Sequence, residues 1–353
     1  MFDGDWRHPS PRSRRMSIAL PSHSLNNFLS NPEESMSSWS QSTQRKRIRL
    51  GYHQPTPVGK FEPKSQPATI VTAYYPLQKS KYTTKHYEGW LKHFLSNCEG
   101  HMVIFTDTTT VPFIEQLRSA YKNRTKVIVL DPSKWTSTTQ FPKSFWEEQH
   151  QMDPEKAIHS IELYKVWYEK KEFVKRAIAL NPWNHTDFVW CDAGICRSES
   201  FAKLIKHFPV ASRIPTNKFL LCNVGEYTEK DEQVYMVNGV PIQGGASGKN
   251  RIGGGIVAAS KELWATYDTL YEQIVDKYIQ ARLFIGKEQN ILETLVLEHR
   301  EQVSLVEPKP IGPELWFYLA LWLSVGSNAF KRMNDASHQM KQMSYEELAA
   351  LDH

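Results

Sequence analysis

Residues 188–194, Phe188-Val189-Trp190-Cys191-Asp192-Ala193-Gly194, decide the fold class of this chain. The apolar run 188–191 has the length of a buried strand, and it ends at a carboxylate followed by two small residues. In an open α/β sheet, ligands bind beyond the carboxyl ends of the strands. The stretch therefore predicts a buried strand with a candidate functional carboxylate, Asp192. The alternative, that Asp192 only caps the next turn or helix, stays open at this point.

Strands and helices alternate regularly before this stretch. Apolar runs predict strands at 68–75, 102–107 and 126–131, and helical spacing of apolar residues predicts helices at 83–95 and 111–121. A longer helix is predicted from Asp153-Pro154-Glu155, which offers an N-cap, a first-turn proline and an acid, to Asn181-Pro182. Such spacing favours right-handed crossovers. We therefore expect an α/β fold with a Rossmann-like, mostly parallel sheet flanked by helices.

The sequence after residue 194 has a different character. Asn238-Gly239 between two β-rich runs predicts a hairpin, and helices are predicted at 261–281 and 287–297. Gly253-Gly254-Gly255 combines a glycine run with a short strand. These glycines either allow a ligand to approach the backbone closely or make a tight strand connection, and both interpretations remain open.

The positive charge of the chain is concentrated at its N-terminus. Residues 1–66 are rich in Ser, Pro, Asn, Gln and Arg, and they hold the whole formal excess of +5, so the rest is neutral. This composition is typical of a disordered tail. We therefore divide the chain into a basic tail, residues 1–66, a globular α/β domain, residues 67–335, and a C-terminal tail, residues 336–353. A neutral globular part argues against a nucleic-acid partner.

Cysteine and hydropathy patterns narrow the class of protein further. The four cysteines form no Cys-x-x-Cys pair, so we expect reduced, buried thiols rather than a disulfide framework or a zinc site. No signal peptide is evident, and the longest apolar run, 315–325, is too short to span a bilayer. We therefore expect a cytoplasmic protein without a transmembrane segment, while association with the Golgi stays open.

Several motifs together resemble those of the HtrL/YibB family, over roughly residues 68–300. They are Thr72-Ala73-Tyr74-Tyr75, residues 102–107 (MVIFTD), residues 189–197 (VWCDAGICR), Gly253-Gly254-Gly255 and Gly286-Lys287-Glu288-Gln289. The most specific is the Trp-x-Asp-Ala-Gly-Ile-x-Arg string. That family resembles GT-A-type glycosyltransferases and has been linked to bacterial surface polysaccharides. The resemblance implies a GT-A-like fold, a nucleotide-sugar donor and a glycan or lipid-linked acceptor.

The resemblance also implies roles for individual residues. The residues expected to bind the donor are Thr72, Ala73 and Tyr74 at the end of the first strand, Asp107 near the base or ribose, and Arg197. Asp192 takes the first position of the metal-binding Asp-x-Asp signature, although Gly194 stands where the second Asp is expected. One carboxylate with water would still hold Mn²⁺ or Mg²⁺, or Arg197 would neutralise the diphosphate instead.

The later motifs are assigned to the acceptor and to catalysis. The resemblance places Gly253, Gly254, Gly255 and Gln289 near the acceptor, and it makes Glu288 and Asp192 the catalytic carboxylates. Glu288 would be the general base of an inverting reaction or would position groups in a retaining one. A helix-capping role for Glu288 remains the alternative.

Three hypotheses of function follow. The first is a glycosyltransferase, and the second is a non-catalytic protein that keeps the fold and binds a nucleotide or a glycan. The missing second Asp of the metal signature favours the second hypothesis. The third is a nucleic-acid-associated protein that acts through its basic tail, and the neutral globular part argues against it.

Overall fold

The computed structural model describes residues 66–77, 79, 82–244, 250–335 and 342–352. The tail predicted over residues 1–66 therefore lies outside the described residues, except for residue 66. The strands of the described part are β1 Thr69–Tyr74, β2 His101–Thr106, β3 Thr125–Val129, β4 Asp187–Cys191, β5 Phe219–Asn223, β6 Val234–Val237, β7 Val240–Gln243, β8 Ile252–Ser260 and β9 Val303–Val306.

Helices connect most of these strands. In chain order they are α1 Thr84–Asn97, α2 Val111–Leu117, α3 Thr136–Thr139, α4 Lys143–Met152, α5 Ile161–Leu180, α6 Glu199–Leu204, α7 Lys261–Gln280, α8 Glu288–Glu298, α9 Tyr318–Trp322, α10 Ser327–Asp335 and α11 Tyr345–Ala349. The long helices α5 and α7 each begin after a serine whose side chain accepts a hydrogen bond from the third helical N–H. This is the N-cap preference expected of Ser.

A sheet of seven strands organises the described residues in the order β3-β2-β1-β4-β8-β5-β9. The pairs β1–β2, β1–β4, β2–β3 and β5–β9 are parallel, whereas β8 runs antiparallel to both β4 and β5. The predicted fold class, an α/β fold with a mostly parallel sheet flanked by helices, is thus confirmed. Because β8 is antiparallel, its glycine run lies beside the carboxyl end of β4.

Two hydrophobic clusters cover the two faces of the sheet. Along β4, Phe188 and Trp190 belong to one cluster, and Val189 and Cys191 belong to the other. This alternation follows from the two-residue period of a strand. Helices α5, α7 and α8 pack on the face of the sheet that carries Trp190. Helices α1, α6 and α9 contribute to the cluster on the opposite face.

The long helix begins later than its sequence predicts. The expected start at Asp153-Pro154-Glu155 is wrong, because α5 begins at Ile161 and Ser160 is its N-cap. Asp153 instead ends α4, and its carboxylate accepts hydrogen bonds from Glu155 N and Tyr164 Oη at 2.8 and 2.6 Å. The carboxylate that looked like a helix cap thus fixes the connection between two helices.

The described part of the predicted C-terminal tail packs against the domain. Residues 342–352 include α11, where Tyr345 and Leu348 are buried in the same hydrophobic cluster as α1 and α6. Met343 also forms an isolated parallel bridge with Ile311. The predicted hairpin is present, since Asn238 and Gly239 join β6 to β7 with φ of 49° and 82°. Both residues adopt the left-handed conformation that a type I′ turn requires.

Candidate active site

A cleft lies at the carboxyl ends of β1 and β4. Its interior volume is about 190 Å³, and it opens to solvent. Aromatic side chains make up a large part of its lining, and they are Tyr74, Tyr75, Tyr82, Tyr87, Trp90, Trp167, Trp190 and Phe317. Among the described residues that line it, the charged ones are Lys170, Asp192 and Arg197. The cleft thus offers flat apolar surfaces together with a few polar anchors.

Asp192 presents one fixed and one available oxygen to this cleft. Its Oδ1 accepts hydrogen bonds from Trp190 Nε1 at 2.8 Å and from Lys170 Nζ at 2.9 Å. No described residue donates a hydrogen bond to Oδ2, and the side chain is 34% exposed. The backbone N–H of Asp192 donates to the Gly255 carbonyl at 2.8 Å, which ties the end of β4 to β8. The carboxylate is therefore held in one orientation and keeps Oδ2 for a ligand.

Lys170 lies on α5 and is buried beneath the cleft. Its Nζ donates to Asp192 Oδ1, to Glu288 Oε1 and to the Gly254 carbonyl oxygen, the last at 3.1 Å. These three bonds use all three donors of an ammonium group. Burial lowers the pKa of Lys170, but the nearby Asp192 and Glu288 carboxylates outweigh burial and raise it above its ordinary value. Lys170 is therefore a charged ammonium that bridges two carboxylates.

Glu288 is the first residue of α8 and is buried behind Lys170. Burial raises its pKa to about 8, because the attraction of Lys170 offsets only part of the cost of burying a carboxylate. A Cβ at position 254 would overlap the Glu288 carboxylate, so any larger residue there would force this carboxylate to move. Glu288 lines a small neighbouring cavity rather than the cleft. Its predicted roles, as an acceptor contact or a general base, stay predictions.

Arg197 enters the cleft from the loop after β4. Its guanidinium lies 4.8 to 5.3 Å from the ring centres of Tyr82, Trp90 and Phe317, distances at which cations are attracted to aromatic faces. Its Nη1 lies 3.6 Å from a Glu314 carboxylate oxygen. Its Nε is buried and has no hydrogen-bond partner among the described residues. The three rings and Glu314 thus hold the guanidinium in place beside the cleft.

The predicted donor-binding residues separate into two groups. Ala73 and Tyr74, at the end of β1, line the cleft as the sequence suggested. Thr72 is buried and its hydroxyl has no hydrogen-bond partner among the described residues. Asp107 does not line the cleft; its Oδ1 accepts hydrogen bonds from the side chain of Thr109 and the backbone N–H of Thr110. Asp107 therefore stabilises the turn before α2, and its donor contact stays a prediction.

The predicted acceptor residues lie around Glu288 rather than in the cleft. Gly253, Gly254 and Gly255 belong to β8, and a Cβ at Gly255 would lie 3.4 Å from Asp192 Oδ2. Gln289 follows Glu288 in α8, and its Oε1 is buried without a hydrogen-bond partner among the described residues. The structure thus brings the glycine run, Glu288 and Asp192 together, while acceptor contacts stay predictions.

Sequence reasoning missed two features of this site. Helical lysines are commonly solvated, whereas the side chain of Lys170 is only 9% exposed. It also did not predict the aromatic lining, which comes from segments far apart in the chain, such as Trp90 of α1 and Phe317. Helical spacing marked Trp90 as apolar, but spacing does not distinguish a core residue from a cleft residue.

One group in the described part of the chain could hold a metal ion, and it lies apart from the cleft lining. Asp153, Glu155 and His159 offer ligand atoms within 4.8 Å of one another. The side chains of these residues already have partners, since His159 Nδ1 lies 2.8 Å from Asp153 Oδ2 and Lys287 Nζ donates to Glu155 Oε2 at 2.6 Å. The group does not include Asp192, the predicted metal ligand.

Comparisons with known proteins match a protein family and find similar solved structures. The model of the family described as "bacterial protein of unknown function (HtrL_YibB)" matches residues 66–305. Among solved structures, the apo form of mouse xyloside xylosyltransferase 1 is similar at 12% identity, with a TM-score of 0.39, over 79% of this chain and 97% of that chain. No curated protein matches this sequence.

Proposed function

Because this chain belongs to the HtrL/YibB family, which resembles glycosyltransferases of the GT-A type, we propose that it transfers a sugar from a nucleotide-diphosphate donor to a glycan or lipid-linked acceptor. The observation that carries the proposal is the position of Asp192 and the hydrogen bonding of its two carboxylate oxygens. A carboxylate at a strand end, with one oxygen fixed and the other open to an aromatic cleft, suits a reaction at a sugar carbon. Ligand sites of open α/β sheets lie at this edge.

The transfer makes one bond and breaks another. An acceptor hydroxyl oxygen bonds to the anomeric carbon, the bond from that carbon to the diphosphate breaks, and the hydroxyl proton passes to a base. We assign Asp192 Oδ2 to the reacting centre and the Arg197 guanidinium to the departing diphosphate, whose oxygens it matches in geometry. Aromatic residues of the cleft, including Tyr74, supply flat surfaces for a base or a sugar ring.

Glu288 has a supporting part in this proposal. It is buried behind Lys170, so a proton leaving the acceptor reaches Asp192 before it reaches Glu288. Thr72, Ala73 and Asp107 remain assigned to the donor, and Gly253 to Gly255 with Gln289 to the acceptor. Whether configuration is inverted or retained decides if Asp192 acts as a base or stabilises charge.

The residues described by the structure include no helix long and apolar enough to cross a membrane. We propose a glycan or a lipid-linked glycan as the acceptor because the resemblance implies polysaccharide synthesis.

A second candidate is a binding protein without turnover. It is favoured by the fact that Asp192 is the only carboxylate among the described residues that line the cleft. Many sugar transfers and hydrolyses employ two carboxylates. Such a protein would bind a nucleotide sugar or glycan in the same cleft and release it unchanged.

A thermal-shift screen tests both candidates. Nucleotide sugars based on UDP and GDP are added at millimolar concentration, with and without Mn²⁺, and hits are assayed for slow donor hydrolysis. The glycosyltransferase predicts a hit whose hydrolysis falls about 100- to 10,000-fold in Asp192→Asn, the range expected for a lost proton-transfer group. A hit without hydrolysis, bound equally by Asp192→Asn, identifies the binding protein. If no nucleotide sugar stabilises the chain, the proposal fails.

A further inference from the structure

Oxygens from three separate elements surround the ammonium group of Lys170. They are Asp192 Oδ1 after β4, the Gly254 carbonyl on β8 and Glu288 Oε1 at the start of α8, and we call these three atoms the oxygen cage. Carboxylate and carbonyl oxygens are the ligands that hard divalent cations prefer. The oxygen cage is therefore a cation site whose cation is a side chain of the protein itself.

We propose that Lys170 takes the place of a divalent cation at this site, so that ligand binding in the cleft requires neither Mn²⁺ nor Mg²⁺. The first part stands on the geometry of the oxygen cage alone. The second part rests on the proposed function, since it concerns the binding of a nucleotide sugar.

The side chains around Asp192 do not form a binding site for a divalent cation. Asp192 Oδ1 is already used by Trp190 and Lys170, so only Oδ2 remains. The second carboxylate that would share such an ion, Glu288, binds Lys170 instead. Gly194, which occupies the third position of the signature, has no side chain to add. An ion at Oδ2 would also be repelled by the ammonium on the same carboxylate.

The surroundings of Lys170 favour a permanent ammonium. The side chain is 9% exposed, and its ammonium contacts two carboxylate oxygens and a carbonyl oxygen. The Trp190 ring lies 5.7 Å from Nζ and adds a weak cation–π attraction. Gly254 leaves the Glu288 carboxylate in contact with Lys170, whereas a side chain at position 254 would displace it. Each part of the oxygen cage thus holds the charge in one place.

Removing the side-chain cation tests the first part without an activity assay. In Lys170→Ala the three oxygens remain and the charge is gone, so the cage should accept Tb³⁺, an oxygen-seeking probe for Ca²⁺-like ions. Trp190 is close enough to sensitise its luminescence. We expect sensitised emission at least about tenfold above wild type, by the strength of buried charge pairing. The emission should be lost in Lys170→Ala/Glu288→Gln and in Lys170→Ala/Trp190→Phe.

Two results would overturn the proposal. One is a folded Lys170→Ala protein that gains no Trp190-dependent emission. The other is a wild-type protein that already binds Tb³⁺ with emission that disappears in Asp192→Asn, because this would place an ion at Asp192 beside Lys170. If Lys170→Ala does not fold, the wild-type measurement decides alone. Absence of Tb³⁺ emission from the wild-type protein then supports the proposal.

The second part is tested with the nucleotide sugar that stabilises wild type. Its thermal shift should be unchanged, within twofold in apparent affinity, when Mn²⁺ is replaced by EDTA. Loss of the shift in EDTA overturns this part. Absence of any nucleotide-sugar hit defeats the proposed function instead and leaves the Tb³⁺ result standing, so the two failures are distinguishable.

Discussion

Two adjacent lysines of α5 are both buried and both surrounded by acids, yet they serve different regions of the molecule. Lys170 points to the cleft side and bridges Asp192 and Glu288. Lys171 points towards α7 and lies 2.6 to 3.0 Å from three carboxylates, those of Glu172, Asp268 and Glu272. By burial and pairing alone the two regions look alike.

The acids of the two regions respond oppositely to their surroundings. Burial raises the pKa of Glu172, but Lys171 and Lys175 outweigh burial and lower it below its ordinary value. Burial raises the pKa of Glu288 to about 8, because the attraction of Lys170 offsets only part of this effect and the negative charge of Asp192 adds to it. The comparison teaches that a buried ion pair does not mark a functional site. An incompletely compensated carboxylate beside an open cleft is the better indicator.

The largest effect expected from this comparison is on stability. Lys171→Met leaves three carboxylates without their buried cation, and we expect it to lower the free energy of unfolding by about 3–5 kcal/mol. Ligand binding in the cleft should be unchanged in the protein that remains folded. Chemical denaturation and a ligand titration measure the two quantities. A weaker ligand affinity in this variant would show that the two regions are not independent.

The pH dependence of stability should have opposite signs in the two regions. Folding raises the pKa of Glu288 from 4.5 to about 8, so its stabilising contribution is full below pH 4.5 and is lost as pH rises through 8. Folding lowers the pKa of Glu172, so its contribution is present above pH 4.5 and is lost on acidification.

Melting temperatures of two matched Glu-to-Gln variants check this prediction. Glu288→Gln should flatten the dependence of the melting temperature on pH between 4.5 and 8. Glu172→Gln should change that dependence only below pH 4.5. Equal profiles for the two variants would contradict the assignment of the raised pKa to Glu288.

The smallest predicted effect concerns the orientation of Asp192. Trp190→Phe keeps an aromatic ring beside Phe173 but removes the donor to Asp192 Oδ1. A hydrogen bond to a charged group contributes about 1.5 kcal/mol, so we expect turnover of the donor to fall about tenfold. Steady-state kinetics should show the loss in kcat rather than in KM. Unchanged kcat would mean that Lys170 alone fixes the carboxylate.

Much of the fold was predictable because its signals are local. The buried strand before Asp192, the strand–helix alternation and the Asn238-Gly239 turn all follow from short-range periodicity or turn chemistry. The start of α5 was not, although Asp153-Pro154-Glu155 carries every expected cap signal. Tertiary partners, Tyr164 and His159, engage the Asp153 carboxylate and override its local preference.

The site was predictable only in part for the same reason. Asp192 could be found because it ends an apolar strand, and Arg197 because it follows in the same motif. The role of Lys170 depends on contacts with residues up to 118 positions away, which no local pattern encodes. A lysine on a helix normally indicates a solvated face, and only the assembled sheet shows that this one is enclosed.

The antiparallel strand β8 has a consequence for the order of events during synthesis. It leads into α7 and α8, so Glu288 emerges from the ribosome long after Lys170 and Asp192 have been made. Until then the ammonium of Lys170 lacks one of its two carboxylates, and the contact that spans 118 residues cannot close. Long-range contacts of this kind form late in folding. The nascent chain should therefore complete the oxygen cage around Lys170 only after α8 docks, which makes the enclosure of this lysine a marker of late folding.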